Sequence, residues 1–136
     1  MKIEISNLNK DIIKTSDVFH QNNETPRPFH KVTNTVVEKH WTSKSKEIWA
    51  GGTHLIIHDI HVHEEIGLKT IEAPKIVSLL FLENGTIHIG QSGKITREIT
   101  SLQHNLIYNS MQTEETVFNK QQKLRITSIN FQPNYF

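Results

Sequence analysis

Apolar residues along this chain recur every second position or in short runs, and after residue 30 no stretch carries a convincing helical period. The clearest segment begins near Thr53, after the break Ala50-Gly51-Gly52. Even positions His54, Ile56, His58, Ile60 and Val62 share one face of an extended strand, and odd positions Leu55, Ile57, Asp59, His61 and His63 share the other. Both faces carry apolar groups, so a strand between two layers is expected, closed by Glu64-Glu65 and Gly67. Residues 75–82 are apolar on both faces, as a central strand of a sandwich or barrel would be. Glu83-Asn84-Gly85 is a tight-turn signal, and residues 86–90 are expected to return as the partner strand. Gly90-Gln91-Ser92-Gly93 turns into residues 94–100, and residues 105–109 and 123–131 supply two further strands.

Ahead of residue 53 the pattern is looser. Residues 2–8 read as a short strand, 11–19 as a turn of helix, and Gln21-Asn22-Asn23-Glu24-Thr25-Pro26-Arg27-Pro28 as a loop, because each proline fixes φ and removes a donor. Residues 32–39 alternate weakly and residues 41–46 are polar. The expected organisation is an N-terminal arm or loop over residues 1–31 and one domain over residues 32–136. Short strands at intervals of about 8 to 12 residues make that domain an all-β sandwich or barrel.

Composition agrees with strands: 18 Ile, 7 Val and 13 Thr stand against two alanines, Ala50 and Ala73. The 136 residues are enough for one core and too few for two ordinary domains. The longest apolar run, residues 76–82, is far below the roughly 20 residues of a membrane helix, so no membrane association is expected. Absent cysteines exclude disulfides and thiolate metal sites and suit a reducing cytoplasm, and no secretory leader is expected from the N-terminal residues. With 15 basic and 14 acidic residues, the net charge of +1 is not that of a surface that grips phosphates by charge.

The run Ile76-Val77-Ser78-Leu79-Leu80-Phe81-Leu82-Glu83-Asn84-Gly85, the segment Ser101-Leu102-Gln103-His104-Asn105-Leu106-Ile107-Tyr108-Asn109, and a closing strand that ends Gln132-Pro133-Asn134-Tyr135-Phe136 resemble the N-terminal regulatory domain of AraC-type transcriptional regulators. The likeness covers roughly residues 45–136. It implies a cupin-like double-stranded β-helix barrel, or jelly roll, behind a loosely structured N-terminal segment. It also implies that the barrel senses a small-molecule effector or mediates homodimerisation, while DNA is bound by a C-terminal pair of helix-turn-helix motifs. No amphipathic helix pair of that kind occurs within residues 1–136, so DNA contact is expected only through a domain not present in this chain.

The nine histidines invite a chemical reading. His61 and His63 lie two apart on one strand face, the spacing with which a barrel presents two imidazoles to one metal. A small metal-dependent cupin enzyme holding iron, zinc or nickel would use them with His88 or His104. Glu65 shares their parity, yet the glutamate spacing usual in enzymatic cupins lands at Gly67 or Leu68, which cannot ligate through a side chain. A domain that is not an enzyme is therefore expected, with no catalytic residue, metal or cofactor. A stand-alone binding or dimerisation module is the remaining alternative. Trp49, His61, His63, Phe81, His88 and Tyr108 are the candidate ligand-binding residues. His54 and His58, which share a face with Ile56 and Ile60, are expected to be partly buried structural histidines, and Trp41 a core or pocket aromatic. Glu64-Glu65 and Glu114-Glu115 would point to opposite strand faces and form no acid/base pair.

Overall fold

The computed structural model describes residues 2–17, 29–72, 76–91, 94–109 and 115–131. These form twelve strands: β1 (Lys2–Ser6), β2 (Ile12–Asp17), β3 (His30–Val37), β4 (Trp41–Ala50), β5 (Thr53–Val62), β6 (Ile66–Glu72), β7 (Ile76–Asn84), β8 (Thr86–Gln91), β9 (Lys94–Thr100), β10 (Gln103–Asn109), β11 (Glu115–Phe118) and β12 (Gln121–Phe131). They make two six-stranded antiparallel sheets, ordered β2-β1-β6-β11-β8-β9 and β10-β7-β12-β5-β4-β3. No helix among the described residues is long and apolar enough to cross a membrane.

The eight strands from β5 to β12 are divided between the sheets, with only β8 and β9 consecutive in the same one, so that β5-β12-β7-β10 faces β6-β11-β8-β9. That order is a jelly roll, the double-stranded β-helix, in which two Greek keys are rolled into a flattened barrel. β4 and β3 extend one sheet, and β1 and β2 extend the other. The protein is thus an all-β, cupin-like double-stranded β-helix.

Apolar side chains of both inner faces fill one end of the barrel. Ile5, Ile66, Ile87, Ile89, Ile99 and Phe118 meet Trp41, Val62, Leu82, Leu124 and Ile126 in a continuous buried cluster. Burying such side chains is the main source of stability, at about 1.5–3 kcal/mol each. Trp41 therefore belongs to the floor of the barrel. The Lys14 ammonium lies 5.8 Å from the centre of its ring and is paired with Glu38, which ties β2 to the β3–β4 turn across that floor.

Several expectations need correction. Where residues 11–19 were expected to form a turn of helix, Ile12–Asp17 is a strand whose Lys14 pairs with Ile5 of β1; residues 18 and 19 and the loop at 21–28 lie outside the described residues. β1 runs between β2 and β6 with Ile5 in the core, so this part of the expected arm is built into the barrel. Gly67 does not close β5; it lies inside β6. Nor does β8 pair with β7: it pairs with β9 and β11, because Asn84-Gly85 is a corner that carries the chain from one sheet to the other.

That corner is tightly specified. Gly85 has φ of 96°, and a Cβ there would stand 2.4 Å from Gln121 Oε1 and 2.8 Å from Leu124 Cδ1. The Gln121 carboxamide accepts from Thr86 N (3.0 Å) and donates to Thr86 O (2.9 Å), acting as a clamp at the start of β8.

Candidate binding site at the barrel mouth

Registry decides which faces look inward. Val62, Ile60, His58, Ile56 and His54 of β5 pair with Trp41, Ser43, Ser45, Glu47 and Trp49 of β4. On the other side, Ile60, His58, Ile56 and His54 pair with Leu124, Ile126, Ser128 and Asn130 of β12. Since Val62, Trp41, Leu124 and Ile126 belong to the core, every residue in these rows faces the barrel interior. The rows grade from apolar at the floor to polar at the opposite end, the mouth, where Glu47, Trp49, His54, Ser128 and Asn130 come together with Ser78 of β7.

The centre of this cluster is His54, which is only 2% exposed. Its ring stacks on Trp49 with centroids 3.6 Å apart and planes 7° from parallel. Its Nε2 lies 3.1 Å from Glu47 Oε2. A carboxylate can only accept, so the imidazole carries its proton on Nε2 and donates. Asn34 of β3 places its Nδ2 3.5 Å from Glu47 Oε1. Across β12, Ser78 Oγ and Ser128 Oγ both donate to Asn130 Oδ1, at 2.7 and 3.0 Å, which turns the Asn130 amide NH2 away from them. Buried polar groups persist only when they are satisfied in this way.

Burial pushes the His54 imidazole below its ordinary pKa of 6.5, against the hydrogen bond and the charge of Glu47, which pull it up; the nearby His58 adds to the lowering. His58 is held below 6.5 by burial as well, opposed by Glu47 and Asp59. At neutral pH the mouth therefore holds two neutral imidazoles and one carboxylate together with amide and hydroxyl groups and the indole of Trp49, stacked on His54. That set suits a small polar ligand with an apolar face and several hydrogen-bonding groups.

Of the residues singled out from the sequence, Trp49 is the one whose side chain is seen at this site. His61 faces outward, on the opposite side of β5 from His54 and His58, and His63, just past the end of β5, has its ring centroid 4.2 Å from that of His61. Among the described residues no three His, Asp or Glu side chains converge as a metal site requires. Glu65 accepts from Asn119 Nδ2 (2.7 Å). Phe81 is 37% exposed on the outer face of β7, 6.2 Å from the His104 ring. His88 points out of the other sheet, with Nε2 2.9 Å from Glu98 Oε2, between the inward Ile87 and Ile89. Tyr108 occupies the position of β10 opposite Val77, and its side chain lies outside the described residues. His61 instead borders a groove of about 530 Å³, beside Lys44, Asp59, Lys123 and Arg125 and reaching inward to Ser43, Ile60 and Leu124. Arg125 there is paired with Glu83 (2.8 Å) and Asp59 (3.6 Å).

The residues passed over are Glu47, Ser78, Ser128 and Asn130, while His54 and His58 were read as partly buried structural histidines, and burial lowers the pKa of both. Their shared signal was the parity of His54 and His58 on β5, which places two histidines on whichever face turns inward.

No protein-family model matches the chain, and no curated protein matches it. Solved structures do. An ectoine synthase from P. lautus is 16% identical with a TM-score of 0.49, over 71% of this chain and 67% of that one. A conserved protein with a double-stranded β-helix domain from Klebsiella pneumoniae is 13% identical with a TM-score of 0.46, over 86% and 80%. The Cupin_2 domain of an XRE family transcriptional regulator from Enterobacter cloacae is 10% identical with a TM-score of 0.43, over 79% and 99%. At these identities the likeness is one of shape and transfers no residue role. It corrects one expectation: a synthase stands among the chains of similar shape, so the fold gives no ground for reading this domain as a non-enzyme.

Proposed function

We propose that this barrel binds a small polar molecule at its mouth and that, in the finer reading, it is the effector-sensing part of an AraC-type transcription regulator. The observation that carries the binding reading is the Glu47–His54–Trp49 cluster on the inner face, a buried polar arrangement above an apolar floor. The regulatory reading is supported by the sequence resemblance over residues 45–136. In it, the effector favours one arrangement of the barrel, and that preference is passed to helix-turn-helix motifs outside residues 1–136, which alone touch DNA. A second reading, in which the bound molecule is also turned over, is favoured by the same pair: a carboxylate and a neutral imidazole within hydrogen-bond reach are acid–base groups.

The test is a thermal-shift screen of sugars, polyols, amino acids and small amines against the 136-residue chain and against its Glu47→Gln and Trp49→Ala variants. A compound that raises the melting temperature of the parent and not of the variants supports the site. Compounds that stabilise all three proteins equally refute it. Following each such compound by NMR for conversion then separates binding from turnover.

A further inference from the structure

Asn130 is a buried side chain of the mouth whose hydrogen bonding is half complete. It is 7% exposed and faces inward on β12, with His54 opposite it on β5 and Ser78 opposite it on β7. A carboxamide offers two lone pairs on its oxygen and two N–H groups on its nitrogen. Both lone pairs are engaged, because Ser78 Oγ and Ser128 Oγ donate to Oδ1 at 2.7 and 3.0 Å. The two serines thus fix which end of the amide faces them and turn Nδ2 the other way. No described residue accepts a hydrogen bond from that Nδ2. An unmatched donor in a residue this buried is costly, and a site that holds one demands an acceptor from its ligand.

The surrounding charge selects the kind of acceptor. Among the described residues at the inward positions of β4, β5, β12 and β7, Glu47 is the only acidic or basic side chain other than the histidines. It lies two strands from Asn130, a separation of roughly 10 Å. A carboxylate or phosphate at Nδ2 would meet that negative charge with no cation on these strands to pair with. Like charges at such a distance in a partly desolvated site weaken binding by about tenfold or more. A carbonyl or hydroxyl oxygen without charge meets no such opposition.

We propose that Asn130 is the specificity-determining residue of the mouth: its Nδ2 donates to an uncharged carbonyl or hydroxyl oxygen of the ligand, and acids are refused. This role rests on the mouth being a binding site, and it adds the charge of the ligand and the atom that the ligand must carry. Ser78 and Ser128 hold the amide in the orientation that makes the choice.

Three probes of one shape and different charge test this: acetamide, acetate and acetamidinium, each titrated to high millimolar concentration at matched ionic strength into the 15N-labelled 136-residue chain. Two readouts are followed, the side-chain NH2 resonances of Asn130 and the backbone amides of Glu47, Trp49 and His54. Acetamide should move both sets and bind about tenfold or more tightly than acetate. Acetamidinium pairs with Glu47 but carries no acceptor, so it should move the Glu47 amide and leave the Asn130 NH2 in place. Asn130→Asp keeps an oxygen for the two serines and has no N–H to donate; with its fold checked by circular dichroism, it should lose the acetamide response. The titrations of the parent chain stand without that variant. Acetate or acetamidinium moving the Asn130 NH2 as strongly as acetamide, or acetamide binding that is unchanged in Asn130→Asp, overturns the role of Asn130 while leaving the mouth a binding site. Backbone amides of the mouth that respond to none of the three probes overturn both.

Discussion

Replacing His54 separates its two contacts at the mouth. His54→Ala removes both the stack on Trp49, at 3.6 Å, and the hydrogen bond to Glu47, at 3.1 Å, whereas His54→Phe keeps a ring on the indole and loses the bond. A hydrogen bond to a charged group contributes about 1.5–3 kcal/mol, and Glu47 retains 19% of its side-chain exposure, so the lower end applies. The ring contact adds about 0.5–1.5 kcal/mol. His54→Phe is therefore expected to cost about 1.5 kcal/mol and His54→Ala about 2–3 kcal/mol, measured by urea unfolding followed by circular dichroism at about pH 7.5, where the parent imidazole is neutral. Equal losses in the two variants would show that the stack contributes nothing. Losses below about 0.5 kcal/mol in both would refute the placement of His54 in a satisfied, buried site.

At the corner between the sheets, Gly85→Ala is expected to destabilise by about 2–4 kcal/mol, because its φ of 96° and the Gln121 and Leu124 atoms below 3 Å leave no room for a methyl group; urea unfolding measures it. Stability should also fall on acidification. His54 and His58 have folded-state pKa values below 6.5, so the unfolded chain takes up their protons first, and stability present above pH 6.5 is lost as the pH drops through the window beneath it. The urea midpoint followed from pH 7.5 downward should show this, with a weaker slope in His58→Phe. His61→Ala, on the outer face, and His63→Ala, whose ring lies beside that of His61, should leave stability within about 1 kcal/mol and leave any stabilisation by a mouth-bound compound intact.

The strands were legible wherever side-chain alternation is strong. β5, β7, β10 and β12 are where the pattern puts them, to within a few residues. The inside of β5 was not legible, because the sheet is apolar on both faces: Ile56 and Ile60 turn to the core while Leu55 and Ile57 belong to the outer aliphatic face. Periodicity shows that two faces exist and not which is covered. The pair His61 and His63 therefore looked as well placed as His54 and His58. β4 escaped notice because its inward positions include Ser43, Ser45 and Glu47, polar groups that break the apolar alternation by which a half-buried strand is recognised. The turn at Asn84-Gly85 was recognised and its outcome was not, since a left-handed glycine serves a hairpin and a sheet-to-sheet corner equally. Partner choice there is decided far away in sequence, by Gln121 and Leu124.

Amide chemical-shift mapping tests most directly whether a small molecule binds at the barrel mouth. With the most stabilising compound of the screen added to 15N-labelled chain, the largest shifts should fall on the amides of Glu47, Trp49, His54, His58 and Asn130. Shifts concentrated on Lys44, His61, Lys123 and Arg125, around the groove beside His61, would contradict binding at the mouth.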